Sequence, residues 1–263
     1  MKTKTRVIAI ANQKGGVGKT TTALCLASSL ARRGRRVLMV DLDQQANATR
    51  TYGAVSDGHA TTYDILLGDV QDATDAVQRT EHGDIVPGDI LLSGAEAEMA
   101  SMPFRETRLA DAFEGIVSSG DYDYVLVDCS PSLGIVTTNA LVLAGEVLVP
   151  VLVDGYSIDG LDKLAKLVDF VRSNRRIGHE VRISGLLVCQ GEKSQRLSRA
   201  FEEQLPGIAG RYGTRVYDTW IRRCAKVREA QARNMFLSDY ASLCTSSVDY
   251  DCLAEEIDLG QAR

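Results

Sequence analysis

The sequence has no apolar run approaching the roughly 18 residues needed to span a bilayer, and residues 1–6 carry no apolar signal core. Both absences point to a cytoplasmic protein. None of its 6 cysteines (Cys25, Cys129, Cys189, Cys224, Cys244 and Cys252) has a CxxC partner. This argues against a zinc ribbon or a secreted disulfide framework and predicts buried, reduced thiols. No Pro-, Ser- or Gly-rich stretch, internal repeat or low-complexity tract divides the 263 residues. A chain of that length can bury one sizeable core, so 1–263 reads as a single domain.

What is present is ordinary for a globular protein, with 44% hydrophobic and 25% charged residues and a net charge of −5. The charge is uneven. Residues 172–233 hold 14 Lys and Arg against 6 Asp and Glu, a basic segment inside an acidic chain.

Apolar runs at 7–11, 36–40, 124–127, 147–153 and 183–189 read as strands. Between and after them, helical patterns run over 21–33 (stopping at Gly34), 161–172, 193–204 and 248–257. Continuous Val/Leu/Ile strands alternating with helices predict an α/β fold: a mostly parallel, twisted sheet with helices on both faces.

Directly after the first strand, Gln13-Lys14-Gly15-Gly16-Val17-Gly18-Lys19-Thr20 satisfies the phosphate-loop pattern GxxxxGK[ST] except at its first position, where Gln13 replaces Gly. Glycines let the backbone curl until successive N–H groups and the following helix N-terminus converge on phosphate oxygens. Lys19 is placed to neutralise β/γ charge and the Thr20 hydroxyl to ligate Mg²⁺. A carboxylate also ends each of two strands beside this loop, in Asp41-Leu42-Asp43 and at Asp128, which fits a site at the switch point of the sheet.

Residues Lys14 to Thr21 resemble the deviant Walker A motif of the ParA/MinD ATPases, P-loop NTPases whose second, signature lysine corresponds to Lys14. Asp41 to Thr49 is similar to the switch I of that family (DxDPQxN), and Asp128 to Gly134 to its Walker B and switch II (DxPPxLG). Ile221 to Ala230 resembles the segment I-x-R-x-x-[KR]-x-x-E-A of chromosomal and small plasmid ParA proteins. Gln44, Ser130 and Gln231 depart from the pattern, each standing where proline is usual.

The resemblance implies an ATPase that binds ATP and Mg²⁺ through Lys14, Gly15, Gly16, Val17, Gly18, Lys19, Thr20 and Thr21. Thr20, Asp43 and Asp128 would hold the metal, with Asp43 also orienting the attacking water and Asp41 supporting that shell. It further implies an ATP-dependent homodimer, because the signature lysine reaches the partner's nucleotide. Hydrolysis would be slow and stimulated by a ParB-type centromere-binding partner.

Three uses of such an ATPase compete. A MinD-type membrane-positioning ATPase, the alternative reading, needs a basic C-terminal amphipathic helix, but 249–258 carries five acidic residues and no Lys or Arg. A reductase with a shared iron–sulfur cluster needs a second cysteine near Cys129, and 53–128 supplies none. Partitioning of plasmid or chromosome DNA requires non-specific DNA binding, for which Arg196, Arg199, Arg222, Arg223 and Lys226 are the candidates. The same residues can instead form a solvated face, some paired with Glu202, Glu203 or Glu229. With few residues ahead of the first strand, no helix-turn-helix domain and no operator-specific binding are expected.

Overall fold

The run Tyr124–Cys129 is buried at every position, and Val37–Leu42 at all but its first. A strand with no wet face must lie inside a sheet covered on both sides. The computed structural model describes residues 4–153, 157–174, 177, 180–191 and 196–260, with the backbone alone at 157–159 and 196–200.

In chain order the first half comprises β1 (Arg6–Ile10), α1 (Lys19–Arg32), β2 (Val37–Leu42), α2 (Asn47–Tyr52), α3 (Thr62–Leu67), a 3₁₀ turn at Ala73–Ala76, β3 (Gln78–Thr80), β4 (Gly83–Val86), α4 (Leu92–Met99) and α5 (Arg108–Ser119). The second comprises β5 (Tyr124–Cys129), α6 (Ile135–Leu143), β6 (Glu146–Leu152), α7 (Ser157–Ser173), β7 (Arg182–Gly191), α8 (Arg196–Arg211), β8 (Ile221–Arg222), α9 (Ala225–Gln231), α10 (Leu237–Ala241) and α11 (Thr245–Leu259).

The strands form one sheet in the order β3-β4-β2-β5-β1-β6-β7-β8. Every pairing is parallel except β3 with β4 at one edge. Alternation along β1 splits the core: Val7 and Ala9 pack with α5, α6 and α7, while Ile8 and Ile10 pack with α1 and α11. Leu26 and Leu30 of α1 are fully buried on the second face, each contributing about 1.5–3 kcal/mol.

The expected α/β architecture is the one observed. No strand was expected between 43 and 124, yet β3 and β4 lie there; at three and four residues they are too short for a periodic signal. The helix expected to end at 204 continues through Pro206 to Arg211 as α8, because Phe201, Leu205, Ile208 and Ala209 keep an apolar stripe on its buried side. Its expected first residues, 193–195, lie outside the described residues. The thiols also differ from expectation: Cys25, Cys129 and Cys189 are buried, but Cys224 and Cys244 are half-buried and Cys252 is exposed. Cys224 and Cys244 sit at the N-caps of α9 and α11, and Cys252 lies on α11.

Candidate functional site

Strand register assembles the motifs. Asp128 at the end of β5 lies opposite Ile10 of β1 on one side and Asp41 of β2 on the other. From β1 the chain crosses through α1 toward β2 on one side, while from β5 it crosses through α6 to β6 on the other, so the loop after β1 opens at that switch point. The loop is fastened at its root: the buried Asn12 amide donates to the Pro150 carbonyl at 2.7 Å, and its Oδ1 accepts from the Lys14 N–H at 3.0 Å. Gly16 (φ 72°) and Gly18 (φ 99°) take the left-handed backbone that the curl requires, Gly18 acting as N-cap of α1. Lys19 is 6% exposed, and its Nζ donates to the Lys14 carbonyl at 3.0 Å. Burial pushes its ammonium pKa down, against the attraction of Asp128 and Asp43.

The three switch carboxylates are treated differently by their surroundings. Asp41 is satisfied: it accepts from the Thr49 N–H and hydroxyl, both at 2.8 Å, and from the Asp43 N–H at 3.1 Å. The Thr49 hydroxyl oxygen in turn accepts from the Gly88 N–H at 2.8 Å. Asp41 thus ties residues 43–49 to the segment that follows β4, and burial still raises its carboxyl pKa to about 6. Asp43 accepts the Gln45 N–H at 3.0 Å and is nearly buried. Asp128 is fully buried, and neither of its oxygens has a well-formed hydrogen bond. Burial and then Asp41 push its carboxyl well above the ordinary carboxylate range; the nearby Thr20 hydroxyl and Lys19 only moderate this.

A cavity of about 780 Å³ opens beside these groups, its near wall being residues 15–21 with Asp43, Asn47 and Pro131; Asp41 and Asp128 are fully buried and do not line it. The far wall is Gln190 with the segment 221–231, in which Lys226 and Ala230 do not line the cavity. Two amides span the walls. The Gln190 side chain, on a residue with φ 55°, donates to the Gly16 carbonyl at 3.3 Å, and the Gln231 side chain donates to the Thr21 hydroxyl at 2.8 Å. Sequence reasoning missed Asn12 and Gln190. Gln231 was visible only as a departure from the family pattern.

The basic candidates are less uniform than the sequence implied. Arg222 is committed to Asp249 of α11, through Nη2 at 2.7 Å and Nε at 3.0 Å, rather than to the acidic residues expected. Lys226 does pair with Glu229, at 2.8 Å. Arg223 is exposed and makes no ion pair among the described residues. Arg196 and Arg199 belong to α8, and their side chains lie outside the described residues. Arg222 and Arg223 also line the cavity, so the segment read for DNA serves as its far wall.

Residues 5–182 match a family described as an AAA domain. The chromosome partitioning protein ParA of Caulobacter vibrioides is 38% identical over 255 residues, covering 96% of this chain and 93% of that one. The chain belongs to the ParA family. The sporulation initiation inhibitor protein Soj of Bacillus subtilis is 36% identical, covering 96% of this chain and 98% of that one. A structure titled cobyrinic acid a,c-diamide synthase from Mycobacterium smegmatis, with bound ADP and magnesium, matches with TM-score 0.80 and 31% identity, covering 98% of this chain and 96% of that one. In this ParA-family chain the glycine loop and Asp43 line one cavity, and strand register sets the buried Asp128 beside Asp41.

Proposed function

We propose that the chain is a slow, ATP-dependent dimerising switch for partitioning plasmid or chromosome DNA, all of 1–263 forming the ATPase domain. The observation that carries the chemistry is Asp128: a buried carboxylate with no proper partner among the described residues, near the Thr20 hydroxyl, Asp43 and Lys19 of the phosphate-loop region. Such a group is costly unless a cation meets it. Mg²⁺ fits this oxygen-rich set, with Thr20, Asp43 and Asp128 as its holders, and when bound it supplies charge neutralisation to the ATP phosphates. Residues 15–21 cradle those phosphates through backbone N–H groups, and Lys19 neutralises them from within the subunit. Asp43 orients the attacking water, and Lys14 reaches the nucleotide of a second copy.

The partition reading rests on relatives named for chromosome partitioning and on the basic segment 172–233. In it the ATP dimer binds DNA without sequence preference, Arg223 being the exposed candidate that makes no ion pair among the described residues. A ParB-type partner then accelerates hydrolysis and releases the dimer. The MinD-type alternative is opposed by α11, whose acidic residues face outward or pair with arginines while Tyr250, Leu253 and Ile257 are committed to the core. No helix among the described residues is long and apolar enough to cross a membrane. The test is ATP turnover measured alone, with DNA, with the protein encoded immediately downstream, and with anionic vesicles. Acceleration by DNA and that protein supports partitioning; acceleration by vesicles alone overturns it.

A further inference from the structure

The far wall meets the phosphate loop through two side-chain amides, which act differently on the atoms they touch. Gln190 donates to the Gly16 carbonyl at 3.3 Å, an acceptor with no proton of its own. Gln231 donates to the Thr21 hydroxyl at 2.8 Å, and a hydroxyl that accepts still has a proton to give. Gln231 is the last residue of α9 and Thr21 the third of α1, so this contact joins two helices 210 residues apart in the chain. Both residues line the cavity.

Each end of the contact is fixed by backbone. At the start of α1 the first intrahelical bond runs from the Thr22 N–H to the Gly18 carbonyl at 2.8 Å, so the N–H groups of Lys19, Thr20 and Thr21 stand ahead of the helical ladder. At the end of α9 the Asn234 N–H donates to the Gln231 carbonyl and the Met235 N–H to the Ala230 carbonyl, both at 3.1 Å, with Asn234 in the left-handed region at φ 50°. Gln231 itself is exposed, and a hydrogen bond there replaces one to water and adds little to folding. Its consequence lies in where the Thr21 proton points. Gln231 also stands where proline is usual in the ParA family, and proline brings no side-chain donor, so the contact belongs to this chain's own far wall.

We infer that Gln231 is a positioning residue for the nucleotide: by donating to the Thr21 oxygen it leaves the hydroxyl proton to be given into the cavity, toward the α-phosphate. This rests on the ATPase reading, in which Lys19 and Thr20 serve the metal and the β- and γ-phosphates. Thr21 is turned to the far wall instead, and its hydroxyl joins the N–H groups at the start of α1 as a donor to an anionic oxygen. ATP and ADP share the α-phosphate, so both gain from the contact to the same degree.

The test titrates fluorescent ATP and ADP analogues into the full chain, read by polarisation, beside thermal unfolding without nucleotide. Gln231→Met keeps the side chain's length and removes its donor; affinity for both analogues should fall about fivefold while the unfolding midpoint stays in place. Gln231→Glu should lose more, because its carboxylate accepts the Thr21 proton and draws it out of the cavity. In a Thr21→Val background, Gln231→Met should weaken neither analogue further, a dependence on the hydroxyl that a merely structural role would not produce. Wild-type affinity in Gln231→Met, a Gln231→Glu variant that binds as well as the wild type, or losses that add in full in the double variant would overturn the inference. So would a loss confined to ATP, which would put the contact at the γ-phosphate. A wild type that binds neither analogue would overturn the ATPase reading itself, and the inference with it.

Discussion

The near wall of the cavity is built on strand ends and keeps Lys19 and Asp43 buried, with the neighbouring Asp128 left unsatisfied. The far wall, residues 221–231, is largely exposed, and two of its cations are already matched inside the chain, Arg222 by Asp249 and Lys226 by Glu229. A charge on the near wall lowers its free energy only when a ligand arrives. A matched charge on the far wall, Arg222 or Lys226, must first give up a partner. The same substitution should therefore act in opposite directions on the two sides, which makes the contrast testable.

The largest effect is expected at the near wall in catalysis. Lys19→Ala removes the ammonium that meets phosphate charge, and turnover should fall on the order of 10²-fold or more; normal steady-state hydrolysis would show that the loop does not hold the reacting phosphates. Next come two Asp→Asn changes compared by thermal unfolding without magnesium. Asp249→Asn weakens the grip on Arg222 and should cost about 1 kcal/mol, modest because the outer edge of the guanidinium is exposed. Asp128→Asn deletes an uncompensated buried charge and should raise the midpoint, by about 2–4 °C for each kcal/mol recovered in a chain of this size. It should also abolish any stabilisation by added Mg²⁺. Finding both variants shifted in the same direction would collapse the distinction between the walls.

The pH dependence sharpens the same point. The folded-state pKa of Asp41 is raised to about 6 from an ordinary value of 3.8, and that of Asp128 is raised as well. A carboxyl raised by folding favours the native state most when protonated, so this contribution is full below the unfolded pKa and is lost as pH rises through the folded one. Without magnesium, the stability of the wild type relative to Asp41→Asn should fall as pH rises from about 4 to 6, as differential unfolding at several pH values would record. The smallest effect is expected at the far wall. Arg223→Glu should weaken DNA binding with ATP and reduce the salt slope by about 0.9 for each phosphate no longer neutralised, while leaving ATP-driven dimerisation intact. A polarisation titration across salt concentrations, run beside sizing, measures both.

The near wall could be read in advance because its residues are contiguous and their spacing follows from phosphate geometry: 14–21 on one loop, and carboxylates at the ends of two apolar strands. The far wall was read as a DNA surface because its arginines stand out by charge, whereas its place opposite the loop depends on β8 pairing beyond β7, a two-residue strand with no periodicity. Gln190 and Asn12 were illegible for a different reason. An amide that hydrogen-bonds one backbone carbonyl leaves no pattern in composition or spacing. The missed hairpin of β3 and β4 repeats the lesson, since strands of three and four residues are defined by their neighbours.

The missed hairpin also bears on self-association. At one margin of the sheet the outermost strand is the three-residue β3, turned antiparallel, and at the other it is the two-residue β8. Neither margin offers a long row of open backbone donors and acceptors onto which a second sheet could be stitched. Copies of this chain are thereby discouraged from stacking edge to edge into filaments as the protein accumulates.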